Sequence, residues 1–182
     1  MGKKVLVPVA QGVEEMETIT IVDVLRRSGA NVVMASVDRI DIAAARGVVF
    51  KADTLIESCQ DEIFDLIVLP GGMPGASNLS ASTILGSMLK KQAEQKKYYG
   101  AICASPAVVL HPLGLVTPGK VTCYPGFGDM IDNGNVLESS VVVDNQCVTS
   151  RGGGTALEFA LTLVELLYSQ QTRADVEKGL AL

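Results

Sequence analysis

Apolar residues along the chain gather in short continuous runs, separated by longer segments of helical spacing. Val5 to Ala10 is the first run, of the length expected for a buried strand. From Glu14 to Ser28 the apolar positions Met16, Ile19, Val22, Val24 and Leu25 follow a roughly helical period, closed by the helix stop Gly29. Asn31 to Val37 predicts a second strand. Ile40 to Lys51 predicts a loop with a short β excursion at Val48 to Phe50. Phe64 to Leu69 is a fully apolar strand ended by Pro70-Gly71-Gly72. Ser80 to Lys97 predicts one amphipathic helix, whose lysine-rich end suits the negative pole of the helix dipole. Tyr99 to Ile102 predicts a fourth strand. Cys103 to Pro106 then leads into a short helix, Ala107 to His111, with Pro106 suited to its first turn. Val121 to Tyr124 predicts another strand. Ser139 to Val143 and Gln146 to Thr149 predict a hairpin around Asp144-Asn145. After Gly152-Gly153-Gly154, Thr155 to Tyr168 is strongly helical, and Arg173 to Leu180 predicts a last short helix.

Near-continuous apolar strands alternating with helices predict an α/β fold: a mostly parallel, doubly wound sheet with helices on both faces. No linker, repeat or low-complexity tract interrupts the pattern, so residues 1–182 are expected to form one domain. Ligands of such sheets bind at the carboxyl ends of the strands. Three segments lie where predicted strands end: Gln11 to Glu17, Gly71-Gly72 and Cys103-Ala104.

Composition narrows the function. A chain of 182 residues can bury about 70% of its unfolded surface and needs no disulfide or metal staple. The net charge is −5, and the basic pairs Lys3-Lys4, Arg26-Arg27, Lys90-Lys91 and Lys96-Lys97 form no run. That argues against nucleic-acid binding, which needs clustered cations. No apolar run approaches the roughly 18 residues of a membrane span. The opening Lys3-Lys4 and Val5 to Val9 are too short for a signal-peptide core and run into Gln11 to Glu17, and Leu6 excludes the myristoylation signal. A soluble, cytoplasmic protein is expected, unless a targeting segment precedes this sequence. The cysteines stand at 59, 103, 123 and 147 without a Cys-x-x-Cys, and with a single histidine they predict no metal site.

Cys103 is the leading chemical candidate. A strand running straight into a helix is the geometry of a nucleophile elbow. The sulfur would stand at a helix N-terminus, where dipole and free N–H groups favour thiolate. The alternative is a buried, inert thiol. Gly71 and Gly72 could provide a sharp strand exit and backbone N–H groups for an oxyanion, or merely a turn. Glu14, Glu15 and Glu17 open the first helix, where acidic residues are routine dipole partners; only a carboxyl facing the rim could hydrogen-bond Cys103. His111 lies eight positions after Cys103, roughly 12 Å along a helix, so the base of a cysteine protease is missing. Tyr124 could line the rim or fill the core. Cys59, Cys123 and Cys147 read as structural thiols.

Taken together, Val5 to Ala10, Glu14 to Thr18, Val22 to Gly29, Asp65 to Gly72, Ala101 to Pro106 and Thr149 to Ala160 resemble the ThiJ/PfpI superfamily, in the branch of the Parkinson-disease-associated protein deglycase. The resemblance spans nearly the whole chain. It implies a flavodoxin-like sandwich, a homodimer and no cofactor. It implies that Cys103 is the reactive cysteine, that the Glu17 carboxyl is hydrogen-bonded to it, and that the backbone of Gly72 and Ala104, with Gly71 and Tyr124, forms an oxyanion and substrate pocket. Arg27 and Arg46 match arginines near the pocket and dimer interface of this branch. The activity implied is a glutathione-independent glyoxalase or protein deglycase acting on methylglyoxal, glyoxal or glycated proteins. The alternative implied is a redox-sensing chaperone whose cysteine is oxidised to sulfinic acid. Two positions depart from the animal branch: Tyr124 stands where a catalytic histidine is found, and Gly152-Gly153-Gly154 replaces Gly-Pro-Gly. The peptidase branch carries histidine after its cysteine, where this sequence has Ala104.

Overall fold

The computed structural model describes residues 2–182. In chain order its regular elements are β1 (Lys4–Val9), α1 (Glu15–Arg27), β2 (Asn31–Ser36), β3 (Asp41–Ala43), β4 (Val49–Lys51), β5 (Thr54–Leu55), β6 (Leu66–Leu69), α2 (Gly75–Ala81), α3 (Thr83–Glu94), β7 (Tyr98–Ile102), β8 (Val141–Asp144), β9 (Cys147–Ser150), α4 (Ala156–Leu167) and α5 (Gln170–Gly179).

Seven strands form one sheet in the order β5-β2-β1-β6-β7-β9-β8. Only β8 runs antiparallel to its neighbour; β1, β2, β5, β6, β7 and β9 pair in parallel. From β1 the chain steps one way to β2, and from β6 it steps the other way to β7. Right-handed crossovers therefore place α1 on one face and α2 with α3 on the other. α4 packs on α1, and α5 on α4. Covered on both sides, β1 and β6 can be apolar throughout: Val5, Leu6, Val7, Val9 and Leu66 to Leu69 are all buried. This is the flavodoxin-like three-layer architecture expected. The step reversal between β1 and β6 opens a crevice at their carboxyl ends, beside the end of β7.

Three expectations are corrected. The helix expected over Ser80 to Lys97 is two, α2 and α3, broken at Ser82. That residue is extended (φ −77°, ψ 108°) and its hydroxyl accepts from Leu85 N, capping α3. Val121 to Tyr124 is no strand. Its backbone bonds go singly to four places: Thr122 N to Thr149 Oγ1, Tyr124 N to Cys103 O, Leu137 N to Val121 O, and Phe127 N to Tyr124 O. Burial, not a ladder, accounts for its β-like composition. The residues expected as a short helix from Ala107 to His111 form a wider π-helical turn, Pro106–Leu110. The Ile40 to Lys51 stretch closes into a separate antiparallel ribbon of β3 and β4.

Candidate functional site

Three strand ends meet at the crevice. After β1 the chain turns into α1, and the three glutamates at its start diverge. Glu14 caps the helix, its Oε2 accepting from Glu17 N at 2.7 Å. Glu15 turns to the β3–β4 ribbon and accepts from Arg46 N at 2.9 Å. Glu17 points inward and is almost fully buried, 1% exposed. Its Oε2 accepts from Gly71 N at 2.8 Å, while Gly71 O accepts from Glu14 N at 2.9 Å. This reciprocal clamp fixes the carboxyl against the end of β6. Gly71 must be glycine: a methyl group there would lie 2.5 Å from Cys103 Cβ, 2.9 Å from Ile102 O and 3.0 Å from Glu17 Oε2.

Cys103 follows β7 with φ +64°, in the left-handed region that costs a non-glycine residue of order 1–3 kcal/mol. Its neighbours impose that conformation. Cys103 N donates to Ser150 O at 3.0 Å, and Cys103 O accepts from Tyr124 N at 2.8 Å. Ser105 Oγ, fully buried, ties the elbow to Pro70 O at 2.6 Å. The elbow predicted from sequence is present, and its side chain is partly exposed.

The thiol and the carboxyl act on each other. Burial pushes the Glu17 carboxyl up to about 7, against the Gly71 N–H, which favours its charge. Burial also pushes the Cys103 thiol up to about 12, and the charge of Glu17 adds to the rise; the N–H groups of Gly72 and Ala104 oppose it by donating to the sulfur. The expected helix-favoured thiolate is therefore corrected. Only a five-residue π-turn follows, and burial beside a carboxylate outweighs it. Glu17 Oε1 is buried without a hydrogen-bond partner among the described residues, on the carboxyl that the thiol contacts. When Glu17 holds the proton, the repulsion that adds to the rise of the thiol vanishes and its O–H becomes a donor, while burial still holds the thiol up.

Glu17, Arg46, Gly72, Cys103, Ala104 and Tyr124 all line one cavity of about 550 Å³. Gly71 stands behind it as the clamp. Arg27 does not join them. It lies in the last turn of α1, paired with Asp23 at 2.7 Å, while the cavity is at the first turn. His111 is also apart, with Nε2 4.0 Å from Asp132 Oδ1. Gly153 and Gly154, singled out in the sequence where they replace Gly-Pro-Gly, line the cavity wall; sequence reasoning missed Met16, Ala45, Met73 and Phe127 there. Phe127 meets the Tyr124 ring edge-on at 6.4 Å. Gly153 lacks a side chain where a methyl would lie 2.6 Å from Met16 Cε, a fit that pattern alone does not reveal.

A model of the DJ-1/PfpI family matches residues 3–166. Protein DJ-1 homolog B of Arabidopsis thaliana is 47% identical over 180 residues, covering 98% of this chain and 40% of that protein. The chain spans less than half the length of this relative. The Caenorhabditis elegans glutathione-independent glyoxalase DJR-1.2 is 36% identical over 171 residues, 93% of this chain and 90% of that protein. The solved structure of oxidized Toxoplasma gondii DJ-1 superposes with a TM-score of 0.95 at 46% identity, covering 99% of this chain and 98% of that one.

Proposed function

The chain belongs to the DJ-1/PfpI family, and on that footing we propose that it is a cysteine-dependent, glutathione-independent glyoxalase acting on methylglyoxal and glyoxal. The observation that carries this reading is the Glu17 carboxyl, buried and raised to about 7, against the cysteine that opens into the cavity. A base of that strength works near neutral pH. Glu17 takes the thiol proton as Sγ bonds to the aldehyde carbon. The alkoxide regains a proton, giving a hemithioacetal, with the Gly72 and Ala104 N–H groups beside the developing charge. Glu17 then removes the proton from the former aldehyde carbon and returns it to the neighbouring one. The enediol becomes the thioester of lactate, and water releases lactate and the thiol. One water is added, and no net oxidation occurs. Early adducts on protein side chains enter the same route once the side chain leaves with a proton, which is the deglycase extension of this reading. Tyr124 contributes a wall and a hydroxyl.

Lactate formation against pH, in wild type and Glu17→Gln, tests the proton shuttle. The wild-type rate should climb to a plateau through about pH 7, and the variant should lose roughly 10²-fold or more. A variant of near-wild-type rate would remove Glu17 from the mechanism.

A second reading has its own support. The unpaired Glu17 Oε1 could hydrogen-bond a sulfinate on Cys103, and the T. gondii relative was solved oxidized. Mild peroxide should then add two oxygens selectively at Cys103, read by intact mass; scattered or absent oxidation would reject the sensor. We further propose a homodimer. Met16 and Ile19 on α1 are exposed apolar residues, and Val48 and Val49 are exposed beside them, where Val48 N reaches Glu15.

A further inference from the structure

Beside Tyr124 lies a second, open hollow of about 370 Å³, lined by Tyr124, Pro125, Ser140, Arg151 and the turn from Gly152 to Thr155. Tyr124, Gly153 and Gly154 line both this hollow and the reactive cavity. The two come together at Gly152. A methyl group there would lie 3.3 Å from Tyr124 Cδ2 and 3.9 Å from Cys103 Sγ. Glycine at this point adds no side chain of its own beside the Tyr124 ring, between sulfur and hollow.

The charge in the hollow is unbalanced. The sequence holds 20 acidic against 15 basic residues, yet the half-buried Arg151 has no carboxylate within 4 Å among the described residues. Its guanidinium donates from Nη1 to Glu138 O at 3.1 Å. The other N–H donors of its planar fork have no acceptor among those residues. The Ser140 carbonyl accepts from Ser150 Oγ, and the Ser140 hydroxyl has no hydrogen-bond partner among the described residues. Gly153 to Thr155 lead into the 12-residue α4, so the positive end of that helix lies at the same place. A partly desolvated guanidinium beside a free hydroxyl and a helix start fits a planar or tetrahedral anion.

We infer that this hollow is an anion subsite read by Arg151, and that the substrates it selects are 2-oxoaldehydes carrying a carboxylate or phosphate tail. The aldehyde meets Cys103, and the tail passes Gly152 and Tyr124 to the guanidinium. This rests on the reading of Cys103 as the aldehyde-reactive residue.

The test compares kcat/KM for dioxovalerate (carboxylate tail) and for the phosphate ester of hydroxypyruvaldehyde with that for methylglyoxal. Wild type should favour at least one anionic substrate; the one it favours identifies the tail. Arg151→Gln should lower the anionic-to-neutral ratio roughly tenfold or more, the range of a lost charge-assisted hydrogen bond. Arg151→Lys, which keeps the charge, should retain much of the ratio. A ratio unmoved by Arg151→Gln, or one that follows Arg46→Gln instead, overturns the inference. A readout without turnover separates it from the glyoxalase reading: alkylation of Cys103 by bromolevulinate relative to bromobutanone. If wild type makes no lactate, the glyoxalase reading fails, but an alkylation ratio that collapses in Arg151→Gln still supports the subsite. A ratio that stays constant rejects the subsite.

Discussion

Glu14, Glu15 and Glu17 share one helical turn and do three different jobs: cap, loop anchor and buried acid. The buried one carries a stability signature. Folded, Glu17 keeps its proton to about pH 7; unfolded, it loses it near 4.5. Between these values the native state holds more protons, so its contribution is complete below about pH 4.5 and is lost as pH rises past 7. The difference is worth about 3 kcal/mol. Urea unfolding should therefore show wild type losing about that much relative to Glu17→Gln between the two pH values. The Cys103 thiol, raised above its ordinary 9, titrates outside this window. Parallel pH profiles would contradict a raised, buried carboxyl. Gly71→Ala should cost about 1–3 kcal/mol in thermal unfolding and slow alkylation of Cys103, because neither the Cys103 β-carbon nor the Ile102 carbonyl can yield to the added methyl. An unchanged Tm and alkylation rate would show that the clamp is looser than described. Cys103 was legible in the sequence because a strand running into a turn exposes its last residue. Which glutamate faces it was not legible from spacing alone; residue-by-residue resemblance supplied Glu17. Arg27 stands at the far end of α1 from the cavity, which leaves the dimer interface as the role proposed for it.

At the scale of elements, the parallel strands were the most readable part. Strands buried on both faces need no alternation, and their apolar runs stand out. α2 was hidden because it begins at Pro74-Gly75, residues that ordinarily signal a turn, and Ser82 then restarts the helix as a cap. Ser82→Ala should cost about 1 kcal/mol in chemical denaturation, the usual worth of such a cap. No measurable loss would mean that the buried Leu79 and Leu85 alone fix the junction. Val121 to Cys123 misled for the opposite reason: they are buried like a strand but hydrogen-bonded like a loop. That loop carries Tyr124 to the mouth of the cavity, where its N–H holds the elbow carbonyl.

Across the whole molecule, the reversal of strand order gathers residues 14–17, 71–72 and 103–104 at one crevice, although they are far apart in the chain. No helix of the described residues is long and apolar enough to cross a membrane. The exposed apolar patch of Met16, Ile19, Val48 and Val49 lies beside the crevice. Sedimentation equilibrium should find a dimer, and Ile19→Glu should shift it toward monomer; a monomeric wild type would leave the patch without its proposed occupant. As a glyoxalase, the protein is proposed to turn over an aldehyde at Cys103, which is not merely consumed by it. The most direct test is NMR detection of lactate from methylglyoxal, with wild type and Cys103→Ala in parallel. Many equivalents of lactate per chain, abolished in the variant, are expected. Loss of one equivalent of aldehyde or less without lactate, or full turnover by the variant, would contradict the claim.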